Sequence, residues 1–307
     1  MSKSVDVLVI GGGPAGLAVA GGLARQLYTA AVFSSGSFRN QATAHMHNVA
    51  GWDHESPTEF RAKSMADIMS RYSTIQFRDV GVASVKKLES GRFEAVDDVG
   101  ENGIRDIMPD IPGYSELWGK GIFHCLFCHG YEERGAASAG VVASGILGNP
   151  MFAPPVSRMA SRLAGTVNVY TNGNEAIGAE IRIALKSTKK FHIENRKIRS
   201  VAKDPDVQGE AGVLVTLEDG TVNKEGFLAH VPDFELNGSF VKELGVELAA
   251  QGHIHTLPPF FNTTVPGVYA AGDCATVFRT VPNAMMMGSF VAAGLAHSLQ
   301  AEDDVEE

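Results

Sequence analysis

The first apolar run, Val5 to Ile10, is interrupted only by Asp6 and reads as a strand. Glycines follow at 11, 13 and 16, and "LAVAGGLARQ" then continues as a helix with small residues on one face. A second run, "TAAVFSSG", supplies the next strand. The same strand–turn–helix–strand order returns in "AGVVASGILGNPMFAPPVSRMASRL" and "TVNVYTNGNEA". Near the C-terminus a short apolar strand, Val268 to Ala271, ends in Gly272-Asp273, and a long helix of small residues begins after Pro282. Strands alternating with helices predict an α/β protein. One stretch breaks the alternation. Between Val99 and Ile104 the chain is acidic and glycine-containing, without the apolar run that a buried parallel strand needs.

The first glycine loop predicts a dinucleotide site. Gly11 makes the turn, Gly13 lets a pyrophosphate approach the backbone, and Gly16 lets helix and strand pack closely. The helix N-terminus that follows offers N–H donors and positive dipole to the phosphates. At the end of the second strand, where a carboxylate normally grips the adenosine ribose, stand Ser34 and Ser35. That weighs against NAD.

Composition narrows the partners. A length of 307 residues with 44% hydrophobic content allows two domains with real cores. A net charge of −9 without a basic run argues against nucleic acid. The apolar N-terminal stretch holds Asp6, Pro14 and several glycines, so neither a signal peptide nor a membrane span is expected, and the protein is expected in the cytoplasm.

Chemistry concentrates in "FHCLFCHGYEERG", which carries Cys125 and Cys128 with His129 directly after them. Structural zinc needs four ligands, and the remaining cysteine, Cys274, stands alone among scattered histidines. A structural disulfide closing so short a loop adds little. A redox pair remains, its thiol pKa lowered if the pair opens a helix. His129 either carries the proton of thiol exchange or is an ordinary loop imidazole. Cys274 reads as a small buried residue, and Met285, Met286 and Met287 as helix packing.

The glycine loop, the CxxC and "AAGDCA", in this order, resemble the low-molecular-weight thioredoxin reductase fold. The finer resemblance is to fungal thiol oxidases of the gliotoxin-oxidoreductase type, which close disulfide bridges in epipolythiodioxopiperazine metabolites. It is carried by "DVLVIGGGPAGLAVAGGLARQLYTA", "FRNQATAHMHNVAGWDH", "FRAKSMADIMSRYSTIQF", "RDIMPDIPGYSELWGKGIFHCLFCHGYEERG" and "TTVPGVYAAGDCAT". The resemblance implies two doubly wound dinucleotide-binding-type domains, the second inserted into the first. An FAD-binding domain would span 1–113 and 235–307, and a middle domain 114–234. FAD would lie with its pyrophosphate on Gly13, Pro14, Ala15 and Gly16. Its adenosine would lie beside Ser35, Gly36, Ser37, Phe38, Arg39 and Asn40, with Asn48 near the isoalloxazine. Asp273 would hold the ribityl chain, and Thr280 and Val281 would face the ring. Cys128 would be the sulfur nearest the flavin, and Cys125 the one exchanging with substrate. A homodimer is implied as well.

The middle domain lacks what an NADPH site needs. Gly145 is followed by Leu147 and Pro150, and Pro150, Pro154 and Pro155 remove N–H donors. A 2′-phosphate would meet Thr171, Asn172 and Asn174 rather than paired arginines. The expectation is therefore an FAD-dependent oxidase that turns a small dithiol into a disulfide, with dioxygen reduced to hydrogen peroxide. The alternatives are an NADPH-dependent thioredoxin reductase and a non-catalytic homologue lacking a flavin-domain strand.

Overall fold

The computed structural model describes residues 4–98, 102–186 and 189–306. Its contacts divide the chain into two units. The first comprises Met1–Gln41, Asn48–Arg105 and Phe234–Glu307, and the second Ala42–His47 and Asp106–Asp233.

The first unit opens with β1 (Val7–Ile10), α1 (Pro14–Arg25), β2 (Ala30–Phe33), α2 (Pro57–Arg71) and β3 (Ile75–Arg78). The three strands form one parallel sheet in the order β1-β2-β3, with Val7 opposite Ala30 and Ala30 opposite Ile75. Proline in the first turn of α1 sacrifices an N–H that has no helical partner anyway. Leu17, Val19, Ala20 and Leu23 then bury one face of α1 against the sheet. Ser56 caps α2 by accepting from the Thr58 and Glu59 amides. A hairpin of β4 (Gly81–Lys87) and β5 (Phe93–Asp98) follows, and then β6 (Ile104–Ile107).

The second unit runs through α3 (Tyr114–Leu117), β7 (Ile122–Phe123), β8 (Ala136–Val142), α4 (Ala153–Leu163), β9 (Ala164–Tyr170), α5 (Glu175–Leu185) and β10 (Phe191–Glu194). It continues with β11 (Ile198–Lys203), β12 (Val213–Leu217), β13 (Val222–Glu225) and β14 (Leu228–Ala229). A five-stranded parallel sheet, β10-β9-β8-β14-β7, is joined by an antiparallel sheet, β11-β12-β13. Val141, Val142, Val167 and Val169 are fully buried, as strands covered on both faces must be. The chain returns through β15 (Asp233–Leu236), which pairs with β6, and ends in α6 (Phe240–Glu243) and α7 (Val281–Glu306). The architecture is α/β, with one doubly wound domain inserted into another.

Two expectations differ from the structure, and a third lies partly outside the described residues. The division falls at 105/106 and 233/234 rather than at 113/114 and 234/235. Ile111 and Tyr114 are core residues of the second unit, and the Val201 amide donates to the Pro112 carbonyl. Residues 106–113 therefore go with that core, and 42–47 belong to the same unit. Second, Val268–Ala271 is not a strand. Tyr269 makes only an isolated bridge to Asn262. A cavity of about 1240 Å³, lined by β1 and by this segment, occupies the place where a sheet partner would join them. Third, the segment expected to lack a strand falls partly on Val99–Glu101, outside the described residues; only 99 to 103 separate β5 from β6.

Candidate functional site

The glycine loop and the Gly272-Asp273 turn meet in the first unit. Gly11, at φ +112°, donates to the Phe33 carbonyl and turns the chain from β1 into α1. A Cβ on Gly16 would stand 1.9 Å from the Gly11 carbonyl oxygen, so no larger residue fits there. Gly13 is different: a Cβ would meet nothing within 4 Å. It caps α1 without a side-chain hydrogen bond, Pro14 follows, and the first turn has no acidic residue. The α1 N-terminus is thus open, positive and shaped for a phosphate-bearing ligand. Beside it the side-chain amide of Asn102 is buried without a hydrogen-bond partner, and a Cβ on Gly11 would lie 4.0 Å from the Asn102 Cβ. A Cβ on Gly272 would come 3.1 Å from the Ala15 side chain. Two motifs more than 250 residues apart therefore form one site.

Asp273 begins a short 3₁₀ turn, and its Oδ2 lies 3.3 Å from the Arg39 guanidinium. Arg39 belongs to the Ser35–Asn40 loop expected beside an adenosine, so the ion pair ties that loop to the aspartate. The loop is fixed from behind by buried Arg61, which stacks 4.0 Å over the Phe38 ring and donates to Asn40 Oδ1. Ser35, Gly36 (φ +77°) and Ser37 complete its turn. Asn48 takes the left-handed conformation, φ +64°, and its amide donates to Asp53. Thr280 caps α7: its hydroxyl oxygen accepts from the Asn283 amide, and Val281 opens the helix. Arg39's pairing and Arg61's role behind the loop have no signature in sequence spacing.

The second unit holds the cysteines. Cys125 and Cys128 are disulfide-bonded, with Cα atoms 5.2 Å apart, and both are half-buried. They lie in a turn rather than at the start of a helix. The Cys128 and His129 amides donate to the Cys125 carbonyl, but Gly130, at φ +116°, ends the turn at once. No helix begins at the pair to lend it the dipole expected of a helix start. One local donor takes its place, since the Cys128 amide lies 3.2 Å from Cys125 Sγ. His129 stacks on the Phe123 ring and meets the His47 ring edge-on at 6.0 Å. Burial, and secondarily the neighbouring His47, hold its pKa below the ordinary value against a hydrogen bond to the His45 backbone. Its Nε2 is buried without a partner. His47 in turn faces Glu132 at 3.6 Å. The fold makes both His45 and His47 neighbours of His129. Cys274 is inert, its thiol pushed up to about 11 by burial and by Asp273. Met287 is core, while Met286 is exposed.

The turn after β8 is closed by its own residues. Leu147 is buried in the core, and a Cβ on Gly145 would come 3.0 Å from the Val231 carbonyl oxygen. Buried His230 sits behind this turn, with the Tyr114 hydroxyl on Nδ1 at 2.5 Å and the Ser144 carbonyl on Nε2 at 3.1 Å. After β9 the polar side chains are already engaged. Thr171 donates to Asn195, while Asn172 and Asn174 accept from the Ile198 and Ile177 amides. Arg196 is held by Glu194 and Asp219.

No helix among the described residues is long and apolar enough to cross a membrane. The model of the pyridine nucleotide-disulphide oxidoreductase family matches residues 5–288. Thioredoxin reductase aclD of Aspergillus oryzae is 42% identical over 310 residues, covering 97% of this chain and 97% of its own. Thioredoxin reductase tcpT of Claviceps purpurea is 41% identical, covering 94% of this chain and 92% of its own. The structure of a thioredoxin reductase from Giardia duodenalis superposes with a TM-score of 0.79 over 97% of this chain and all of its own, at 21% identity, a likeness of fold. With a glycine-loop site in one unit and a half-buried CxxC disulfide in the other, the chain belongs to the pyridine nucleotide-disulphide oxidoreductase family and is an oxidoreductase of thioredoxin reductase-like fold.

Proposed function

We propose that this protein is an FAD-dependent thiol oxidase that closes a disulfide in a small dithiol of the epipolythiodioxopiperazine type. One observation carries the reading: a half-buried disulfide lies next in sequence to a half-buried histidine, while the turn where NADPH would bind is filled by Leu147 and His230 and its polar side chains are spent internally. Electrons then have to enter from a thiol substrate.

The residues of the first unit fit FAD. Gly13 is open, the α1 N-terminus is uncapped, and an orphaned amide lies beside Gly11. Gly13, Pro14, Ala15 and Gly16 would hold the pyrophosphate, the Ser35–Asn40 loop the adenosine, and Asn48, Asp273, Thr280 and Val281 the remainder. When bound, FAD supplies the acceptor for the dithiol's electron pair and delivers it to dioxygen as hydrogen peroxide.

The protein's own part is thiol exchange. A substrate thiolate attacks Cys125 Sγ, the Cys125–Cys128 bond breaks, and the electron pair leaves on Cys128. The second substrate thiol, deprotonated by neutral His129, attacks the substrate sulfur of that mixed disulfide. The product disulfide forms and Cys125 leaves as thiolate, stabilised by the Cys128 amide at 3.2 Å.

Aerobic incubation with a reduced dithiodiketopiperazine should consume two thiols per hydrogen peroxide formed. Cys125→Ser and Cys128→Ser should each abolish turnover and keep bound flavin. The names of the relatives favour a second reading, an NADPH-dependent thioredoxin reductase. Anaerobic mixing with NADPH decides between them, because rapid flavin bleaching would establish the reductase.

A further inference from the structure

The cavity of about 1240 Å³ lies wholly within the first unit. Its walls are polar and apolar in about equal measure, the apolar part coming from residues such as Val7 and Val9 of β1, Val19 of α1, Val85 and Phe93 of the hairpin, and Tyr269 opposite. What sets it apart from a greasy pocket is its backbone. β1 is an outer strand. The Val7 and Gly11 amides donate to Thr29 and Phe33 on the β2 side. Successive amides of a strand point to opposite sides, so those of Leu8 and Ile10 face away from β2. The other wall has the same parity. The Ala270 amide donates to Phe261, and the Val268 carbonyl accepts from Thr263. The Tyr269 and Ala271 amides are thereby turned away from that contact. None of these four amides meets an acceptor among the described residues.

An edge of unpaired amides is a template for another strand, and here two such edges line one space. A lipid chain would match the side chains and leave the amides unpaired; an extended peptide satisfies both. Chain length agrees with this. Only residues 99 to 103 connect β5 to β6. The Aspergillus relative aligns over 310 positions that take in 97% of this chain, about 298 of its 307 residues, so it carries about a dozen residues that this chain lacks.

We propose that this cavity is a strand-acceptor site. Its occupant is an extended apolar peptide about as long as β1, which spans four residues. The peptide pairs with Leu8 and Ile10 on one side and with Tyr269 and Ala271 on the other. In doing so it joins the three-stranded sheet to the Val268–Ala271 segment. The site is independent of the thiol chemistry.

The test is residue-resolved hydrogen exchange on the full chain, with and without a synthetic peptide whose Val/Ile/Ala core of five residues is flanked by lysines. A second arm uses the full chain carrying a twelve-residue insertion with that core between Asp98 and Asn102. Exchange at Leu8, Ile10, Tyr269 and Ala271 should slow about tenfold or more in both arms. A peptide with prolines at alternate core positions, and oleate, should leave it unchanged. Unchanged exchange in both arms would overturn the proposal, as would equal slowing by oleate, which would make the cavity an acyl-chain site.

Discussion

His129 is half-buried with its Nε2 shielded and without a partner, while the ring's other nitrogen bonds the His45 backbone. A pKa below the ordinary value favours the neutral imidazole, with Nε2 as a bare acceptor. The acid limb of kcat/KM should accordingly lie below pH 6.5, the ordinary histidine value of roughly that magnitude. His129→Gln should remove that limb and lower turnover about 100-fold. A pH profile from 4.5 to 8.5 tests it, and an identical limb in the variant would assign the titration to another group. His230 acts on stability instead. Burial pushes its pKa down to about 4, so the unfolded chain takes up a proton near pH 6.5 and the folded chain does not. Its contribution is present above pH 6.5 and is lost as pH falls toward 4, about 3 kcal/mol in all. Buried Glu225, whose pKa is raised by burial, works in the opposite direction over part of that window. The useful quantity is therefore the difference between wild type and His230→Phe. Urea unfolding, followed by exchange of the β8 and β9 amides across that pH range, should show the acid loss in wild type and not in the variant.

Two helices decide whether the glycine loop and Asp273 stay together, and small residues decide how close those helices come. A Cβ on Gly288 of α7 would lie 2.3 Å from the Ala15 carbonyl oxygen and 2.9 Å from the Ala18 side chain. Gly288→Ala gains about 1 kcal/mol of helix propensity, but the obstacle is backbone, and such overpacking costs about 1–3 kcal/mol. The clash should win. Thermal unfolding should show a net loss, and FAD affinity should fall with it as α1 is pushed aside. The elements legible in the sequence were those whose pattern is self-contained. β1, α1, β2, β9 and α7 each carry their own period and punctuation. Val268–Ala271 has a strand's composition but needs a neighbour to become one, and composition does not report whether the neighbour exists. The CxxC looked like a helix start because its own amides do begin a turn; a left-handed glycine two residues later ends it. His47 reaches His129 across some eighty positions of sequence, and no spacing rule announces such a contact.

At the scale of the molecule, each unit has its own hydrophobic cores, and among the described residues no core cluster combines residues of both. The second unit owns a complete five-stranded parallel sheet, while the parallel sheet of the first has three strands and an open edge against a large cavity. Unfilled volume and unpaired backbone both weaken a core. Scanning calorimetry should thus resolve two transitions, the first unit melting at the lower temperature. A ligand that binds only the folded first unit raises that transition alone. FAD at a hundred times its Kd adds about 2.7 kcal/mol, which is about 5 to 10 °C for a unit of this size. The upper transition should stay where it is, and NADPH should move neither, because the second unit's turns are closed by their own side chains. An upper transition that rises with NADPH would show those turns to be adaptable and return the protein to the reductases.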